Sequence, residues 1–212
     1  MQHIYSLVRR CAEDYNMIEE NDRIAVGVSG GKDSLVLLCA LAGLRAFFPR
    51  HFTLEAVTLD MGYDNMDFSS VEQLCRSLGV RYTVIKTDIK QVVFDIRKES
   101  NPCALCAKLR RGWLNNAAVS LGCNKVALAH HFDDAIETFM LSLLYEGRVS
   151  CFQPVSWLSR KQLTLIRPLL YVEEAEIVRI TRAHALPVVF NPCPADKHTK
   201  REEIKALIAS LD

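Results

Sequence analysis

Residues 23–46 constrain this chain most. A compact run rich in β-branched residues, R-I-A-V-G-V-S at 23–29, passes into a glycine-containing turn at 29–34 and then into an apolar helical stretch at 35–46. An apolar run of that length suits a strand buried on both faces, and such a strand needs helices covering both sides of its sheet. Further strands are expected at 52–59, 82–85, 125–129 and 163–166. Helices are expected at 67–78, 104–121, 132–145, 173–185 and 200–211, with a short polar helix in 1–20. The helix at 132–145 is the clearest, because Phe132, Ala135, Ile136, Phe139, Met140, Leu143 and Leu144 follow one helical face. Strand and helix alternate throughout. The expected fold class is therefore α/β, a mainly parallel five-stranded sheet with helices on both faces. Ligands of such sheets sit outside the carboxyl ends of the strands.

The chain of 212 residues reads as a single domain, 1–212. Residues 1–20 form its N-terminal helical extension, and 186–212 its C-terminal loop and helix. Net charge is +1, so any nucleic-acid surface must be a local patch. The longest apolar run, 35–44, is half the roughly 20 residues of a membrane span. The N-terminal stretch has no apolar signal-peptide core. No membrane association and a cytoplasmic location are the expectations. Eight cysteines are too few for a secreted disulfide scaffold, so closely spaced ones point to a metal or to catalysis.

Ser29-Gly30-Gly31-Lys32-Asp33-Ser34 lies between the first strand and the first helix of the sheet. Glycines let backbone come close to an anion, and the helix start offers free N–H groups and a positive dipole end. Three residues separate Gly27 from Gly31, and Asp33 follows Lys32, so this is not a Walker A loop. The hexapeptide resembles the PP-loop of the adenine-nucleotide α-hydrolases. That resemblance implies a loop gripping the pyrophosphate of ATP, with ATP cleaved to AMP and pyrophosphate as a substrate oxygen is adenylated.

Cys103 and Cys106 form a C-x-x-C at a helix start, where the dipole favours thiolates. Cys193 lies in the loop Asn191-Pro192-Cys193-Pro194. Cys39 and Cys75 fall on apolar helix faces and read as core. Cys11, Cys123 and Cys151 belong to no motif and read as structural. The three loop cysteines fit zinc with His198 as fourth ligand, or an iron–sulfur cluster with one open iron, and spacing leaves both open.

C-A-L-C-A-K-L-R-R-G, then A-H-H-F-D-D, I-R-P-L, and Cys193 followed by Lys200-Arg201, together resemble the TtcA-type tRNA 2-thiocytidine synthetases over about residues 4–210. The resemblance implies a [4Fe-4S] cluster on Cys103, Cys106 and Cys193, with the remaining iron free to carry sulfur. Many relatives carry a second late cysteine three residues earlier, where this chain has Phe190. Related thiouridine enzymes place a lysine four residues after the second cluster cysteine, where this chain has Arg110.

Asp133 and Asp134 open the clearest helix. They suit N-terminal capping, a Mg²⁺ ion travelling with ATP phosphates, or proton handling. His130 and His131 suit nucleotide contact or proton transfer. The expected catalytic groups are Asp134, Asp133 and Lys32. The expected ATP contacts are Ser29, Gly30, Gly31, Lys32, Asp33, Ser34, Asp60 and His130. Lys108, Arg110, Arg111 and Arg167 are candidates for tRNA phosphates, the first three also reading as a solvated helix face.

The reading is an ATP-dependent, iron–sulfur-dependent tRNA sulfurtransferase that adenylates C2 of an anticodon-loop cytidine. Sulfide or a cysteine desulfurase supplies the sulfur, and family analogy implies a homodimer. The rivals are another PP-loop enzyme, acting to form 2-thiouridine or on a small molecule, and a non-catalytic ATP-binding metal or redox sensor.

Overall fold

The computed structural model describes residues 1–98, 102–194 and 200–210. Helix α1 (Gln2–Asp14) leads into strand β1 (Asp22–Gly27) and helix α2 (Lys32–Leu44). Then come β2 (Phe52–Asp60), α3 (Ser69–Ser77), β3 (Arg81–Lys86), a π-helix (Gln91–Arg97) and α4 (Pro102–Ser120). The chain closes with β4 (Lys125–Ala127), α5 (Phe132–Glu146), β5 (Val155–Leu158), β6 (Leu163–Ile166), α6 (Glu174–Ala183) and α7 (Lys200–Ala209).

The sheet order is β3-β2-β1-β4-β6-β5, parallel except for β5 against β6. The class is the expected one, but the sheet has six strands rather than five. β5 pairs antiparallel with β6 as a hairpin, the only pairing a four-residue connection permits. Its outward Trp157 and short length give it little of the apolar signal that marks the inner strands.

β1 alternates with a period of two. Ile24 and Val26 enter one core, with α1, α2, α3 and α6, while Ala25 enters the other, beneath α4. Helices therefore cover both faces. The N-terminal extension is part of the core: Ile4, Val8, Cys11 and Ala12 of α1 are buried. Cys39, Cys75 and Cys123 are buried, and burial raises each thiol to about 11. These are packed neutral thiols, as the helix-face positions of Cys39 and Cys75 suggested.

Two features position the site. β2 and β4 flank β1 on opposite sides, so the chain leaves β1 in one direction and returns on the other, opening a crevice at the carboxyl ends. A crossover helix runs antiparallel to its strands, so α4 begins at the same edge. Its start therefore carries Cys103 and Cys106 toward the turn after β1. α4 also packs close to β1, because a Cβ on Gly27 would lie 2.9 Å from Leu114 Cδ2.

Candidate active site

The turn after β1 is held by its own hydroxyls. Ser34 Oγ donates to the Gly31 carbonyl at 2.8 Å and accepts from the Ser29 backbone N–H at 3.2 Å. Ser34 is buried, so its hydroxyl shapes the loop from within while Ser29 stays exposed. Gly31 caps α2 in an extended conformation without a side-chain cap. The first amides of α2 are thus left for an anion. Gly30 has φ +84°, the left-handed region that favours glycine, and a Cβ there would meet Val189 Cβ at 2.9 Å. Val189 N–H donates to Gly30 O at 3.0 Å, so the segment before Cys193 is laid across the turn.

Lys32 Nζ lies 3.0 Å from Asp33 Oδ1 and 2.8 Å from Glu174 Oε1. Burial works against its charge, but Glu174 and Asp33 outweigh it and raise the lysine above its ordinary value. Glu174 opens α6. Burial pushes its carboxyl up, but Lys32 and Lys205 prevail and hold it at about 2.

His131 is buried at the start of α5 and faces three carboxylates. Its Nε2 lies 3.4 Å from Asp134 Oδ2 and 3.9 Å from Asp33 Oδ1, and its Nδ1 lies 3.5 Å from Asp133 Oδ2. The two adjacent aspartates face different elements. Asp134 accepts the His131 backbone N–H at 3.0 Å and pairs with Arg201 of α7 at 2.9 Å. Asp133 accepts the Glu174 N–H at 2.7 Å, which fixes the start of α6. Arg201 also reaches buried Glu137 at 2.8 Å, so α7 is tied to α5 through charge. His130 stacks near Phe152, with ring centroids 4.9 Å apart. Burial, reinforced by the nearby arginines, pushes it down to about 4 and keeps it neutral at pH 7.

Asp60 ends β2. Its Oδ1 accepts the Gly62 N–H at 3.0 Å, which sets the turn leading to a cavity of about 590 Å³. Met61, Gly62, Thr87, Lys90 and Trp113 are among its lining residues.

The candidate cysteines are free. Cys103 is exposed, while Cys106 and Cys193 are half-buried. Burial raises the Cys106 thiol, Arg110 pulls it down, and Cys193 and Cys103 push it up. The Cys103 and Cys193 sulfurs therefore both stand within electrostatic reach of Cys106. The helix-start position alone does not lower Cys106, because burial outweighs it. Among the described residues no group of three or more His, Cys, Asp or Glu side chains stands in metal-binding geometry. The donor set is nonetheless three thiols drawn from two segments, and thiols suit soft-metal chemistry. His198, the alternative zinc ligand, lies outside the described residues.

Of the basic candidates, Lys108, Arg110 and Arg111 are exposed on α4. Arg167 differs from these three in its surroundings. It is buried, donates to Gln153 O and Ser156 Oγ, and covers the Phe152 ring at 5.0 Å. There it fastens β5 to the sheet. Sequence reasoning did not single out Glu174, Arg201 or Lys205. Lys200-Arg201 was legible only as a dipeptide within the resemblance, and nothing local announces that α7 reaches across α5.

The PP-loop domain profile matches residues 3–211. The tRNA-cytidine(32) 2-sulfurtransferase of Syntrophotalea carbinolica is 39% identical over 211 residues, spanning 98% of this chain and 82% of its own length. That of Geobacter sulfurreducens is 39% identical over 212 residues, spanning 99% and 82%. Among solved structures, the U34-tRNA thiolase NcsA from Methanococcus maripaludis, determined with its [4Fe-4S] cluster, superposes with TM-score 0.80. It is 24% identical and covers 99% of this chain and 72% of its own. The NH3-dependent NAD synthetase from Campylobacter jejuni shares the fold at TM-score 0.54 and 18% identity, covering 99% and 83%.

Proposed function

Because the chain belongs to the PP-loop family, and within it to the tRNA-cytidine(32) 2-sulfurtransferases, we propose that it converts cytidine 32 of tRNA to 2-thiocytidine at the expense of ATP. The observation that carries this reading is the juxtaposition of the loop 29–34 with the cysteine segment through Val189 on Gly30. One edge of the sheet thereby holds both an anion cradle and the segment that carries Cys193.

The α2 amides and Lys32 take the ATP phosphates, with Glu174 releasing Lys32 as they arrive. Asp33 and Asp133 carry the oxygens that would hold a Mg²⁺ ion accompanying them. The C2 oxygen of cytidine attacks the α-phosphorus, and the bond to the β-phosphate oxygen breaks to release pyrophosphate. Adenylation matters because an amide-like oxygen is otherwise a poor leaving group. Sulfide then adds at C2 and AMP departs with the former C2 oxygen. Asp134, held by the His131 N–H and Arg201, is assigned the handling of a proton. His130, neutral, can donate a hydrogen bond without adding charge. Cys103, Cys106 and Cys193 would hold a [4Fe-4S] cluster. When bound, that group supplies an iron site where sulfur is held near the target carbon, which reduces the entropic barrier.

The tRNA approaches over Lys108, Arg110 and Arg111. The sulfur donor is sulfide or a cysteine desulfurase, the assembly is a homodimer, and the location is the cytoplasm without membrane attachment. No helix among the described residues is long and apolar enough to cross a membrane. Pyrophosphate release tests the reading. It should require tRNA, and tRNA affinity should fall steeply with salt. Release at full rate without tRNA would favour a small-molecule ligase, and none under any condition would favour a sensor.

A further inference from the structure

Tyr63 sits in the turn beyond β2, beside the cysteine cluster. Its hydroxyl is shut off from solvent and makes no hydrogen bond of normal geometry. A hydroxyl buried without a partner is costly, and native proteins rarely leave one so. The groups that face it identify the missing partner. The Cys193 thiol is nearest in effect, with Cys106 and Arg110 alongside, and Lys90 Nζ lies 5.6 Å from the ring centroid. A neutral thiol is a weak acceptor, whereas a thiolate accepts well, because charge strengthens and shortens the bond. Metal ligation is what makes a cysteine a thiolate.

We propose that the Tyr63 hydroxyl is a positioning donor to the Cys193 sulfur, satisfied once that sulfur is a metal-bound thiolate. The inference rests on the cluster reading above and adds a residue that reading does not use. In this account Tyr63 contacts neither nucleotide nor substrate. It acts through Cys193. Hydrogen bonds to cluster sulfurs are one of the levers by which a protein sets cluster potential. Removing this donor leaves more negative charge on the sulfur, so the cluster becomes harder to reduce.

The test uses the full chain reconstituted without oxygen from ferrous iron and sulfide, as wild type, Tyr63→Phe and Tyr82→Phe. Tyr82 donates to Thr58 Oγ1 at 2.9 Å on β2 and serves as the control. Tyr63→Phe should bind as much iron as wild type while its midpoint potential shifts to more negative values. Its reduced-state electron paramagnetic resonance spectrum should change as well. Tyr82→Phe should shift neither. Equal potentials and spectra for wild type and Tyr63→Phe would overturn the inference and leave the cluster reading standing. Failure of wild type to take up a cluster would overturn both.

Discussion

Gly30→Ala perturbs the contact that joins the two halves of the site. The backbone at residue 30 has φ +84°, and an alanine held there pays about 1–2 kcal/mol for the left-handed conformation. Its Cβ would stand 2.9 Å from Val189 Cβ, at the root of that side chain, so no rotamer change relieves the clash. Forced overpacking of this kind costs roughly 1–3 kcal/mol. The combined loss, on the order of 2–5 kcal/mol, lowers Tm by roughly 4–20 °C in a domain of this size. The Val189 N–H to Gly30 O bond should open, and the segment leading to Cys193 should lift from the loop. Thermal denaturation followed by circular dichroism, paired with calorimetric ATP titration, measures both effects. Gly79→Ala is the control. Gly79 also has positive φ, at +60°, but nothing lies within 4 Å of its Cβ position. It should show the backbone cost alone and normal ATP binding. Equal loss of Tm in the two variants, with ATP affinity unchanged in both, would refute the reasoning.

The stability given by Glu174 should be present above pH 4.5 and lost as pH falls toward about 2, because its folded pKa lies below the ordinary value. Acid titrations of wild type and Glu174→Gln should therefore differ at pH 6 and converge at pH 2, and parallel curves throughout would contradict the ion pair with Lys32 and Lys205. Ser at Cys103, Cys106 or Cys193 should each remove most bound iron after anaerobic reconstitution. Ser at Cys39, Cys75 or Cys123 should cost about 1–3 kcal/mol of stability and no iron, and iron retained in the first three would sink the assignment. Arg201→Ala should cost about 1.5–3 kcal/mol by stripping charged hydrogen bonds from Asp134 and buried Glu137. Urea denaturation reads the loss, and a change within error would show that α7 is held some other way.

The loop and its flanking elements were legible because their signal is local. A β-branched run, paired glycines and a helix start lie within 24 consecutive residues, and the structure places them in that order. The cysteine spacing was equally plain. The surroundings of the aspartates were not, since they are built from α5, α6 and α7, elements separated in sequence and joined by single side chains. Residues 133 and 174 are far apart in the chain, yet Asp133 caps α6. β5 escaped for a different reason, being a four-residue edge with an outward Trp157. Periodicity correctly announced α5, but it could not say which side is covered. Phe139, Leu143 and Leu144 are 37%, 41% and 54% exposed, while Glu137 is buried beneath Arg201 and Lys205.

The most direct measurement is nucleoside analysis of tRNA after anaerobic incubation with the iron-loaded protein, ATP and sulfide. The account predicts 2-thiocytidine, formed with matching amounts of AMP and pyrophosphate, and none when ATP is omitted or Lys32 is replaced by alanine. ATP consumption with no thionucleoside, or 2-thiouridine in place of 2-thiocytidine, would contradict it.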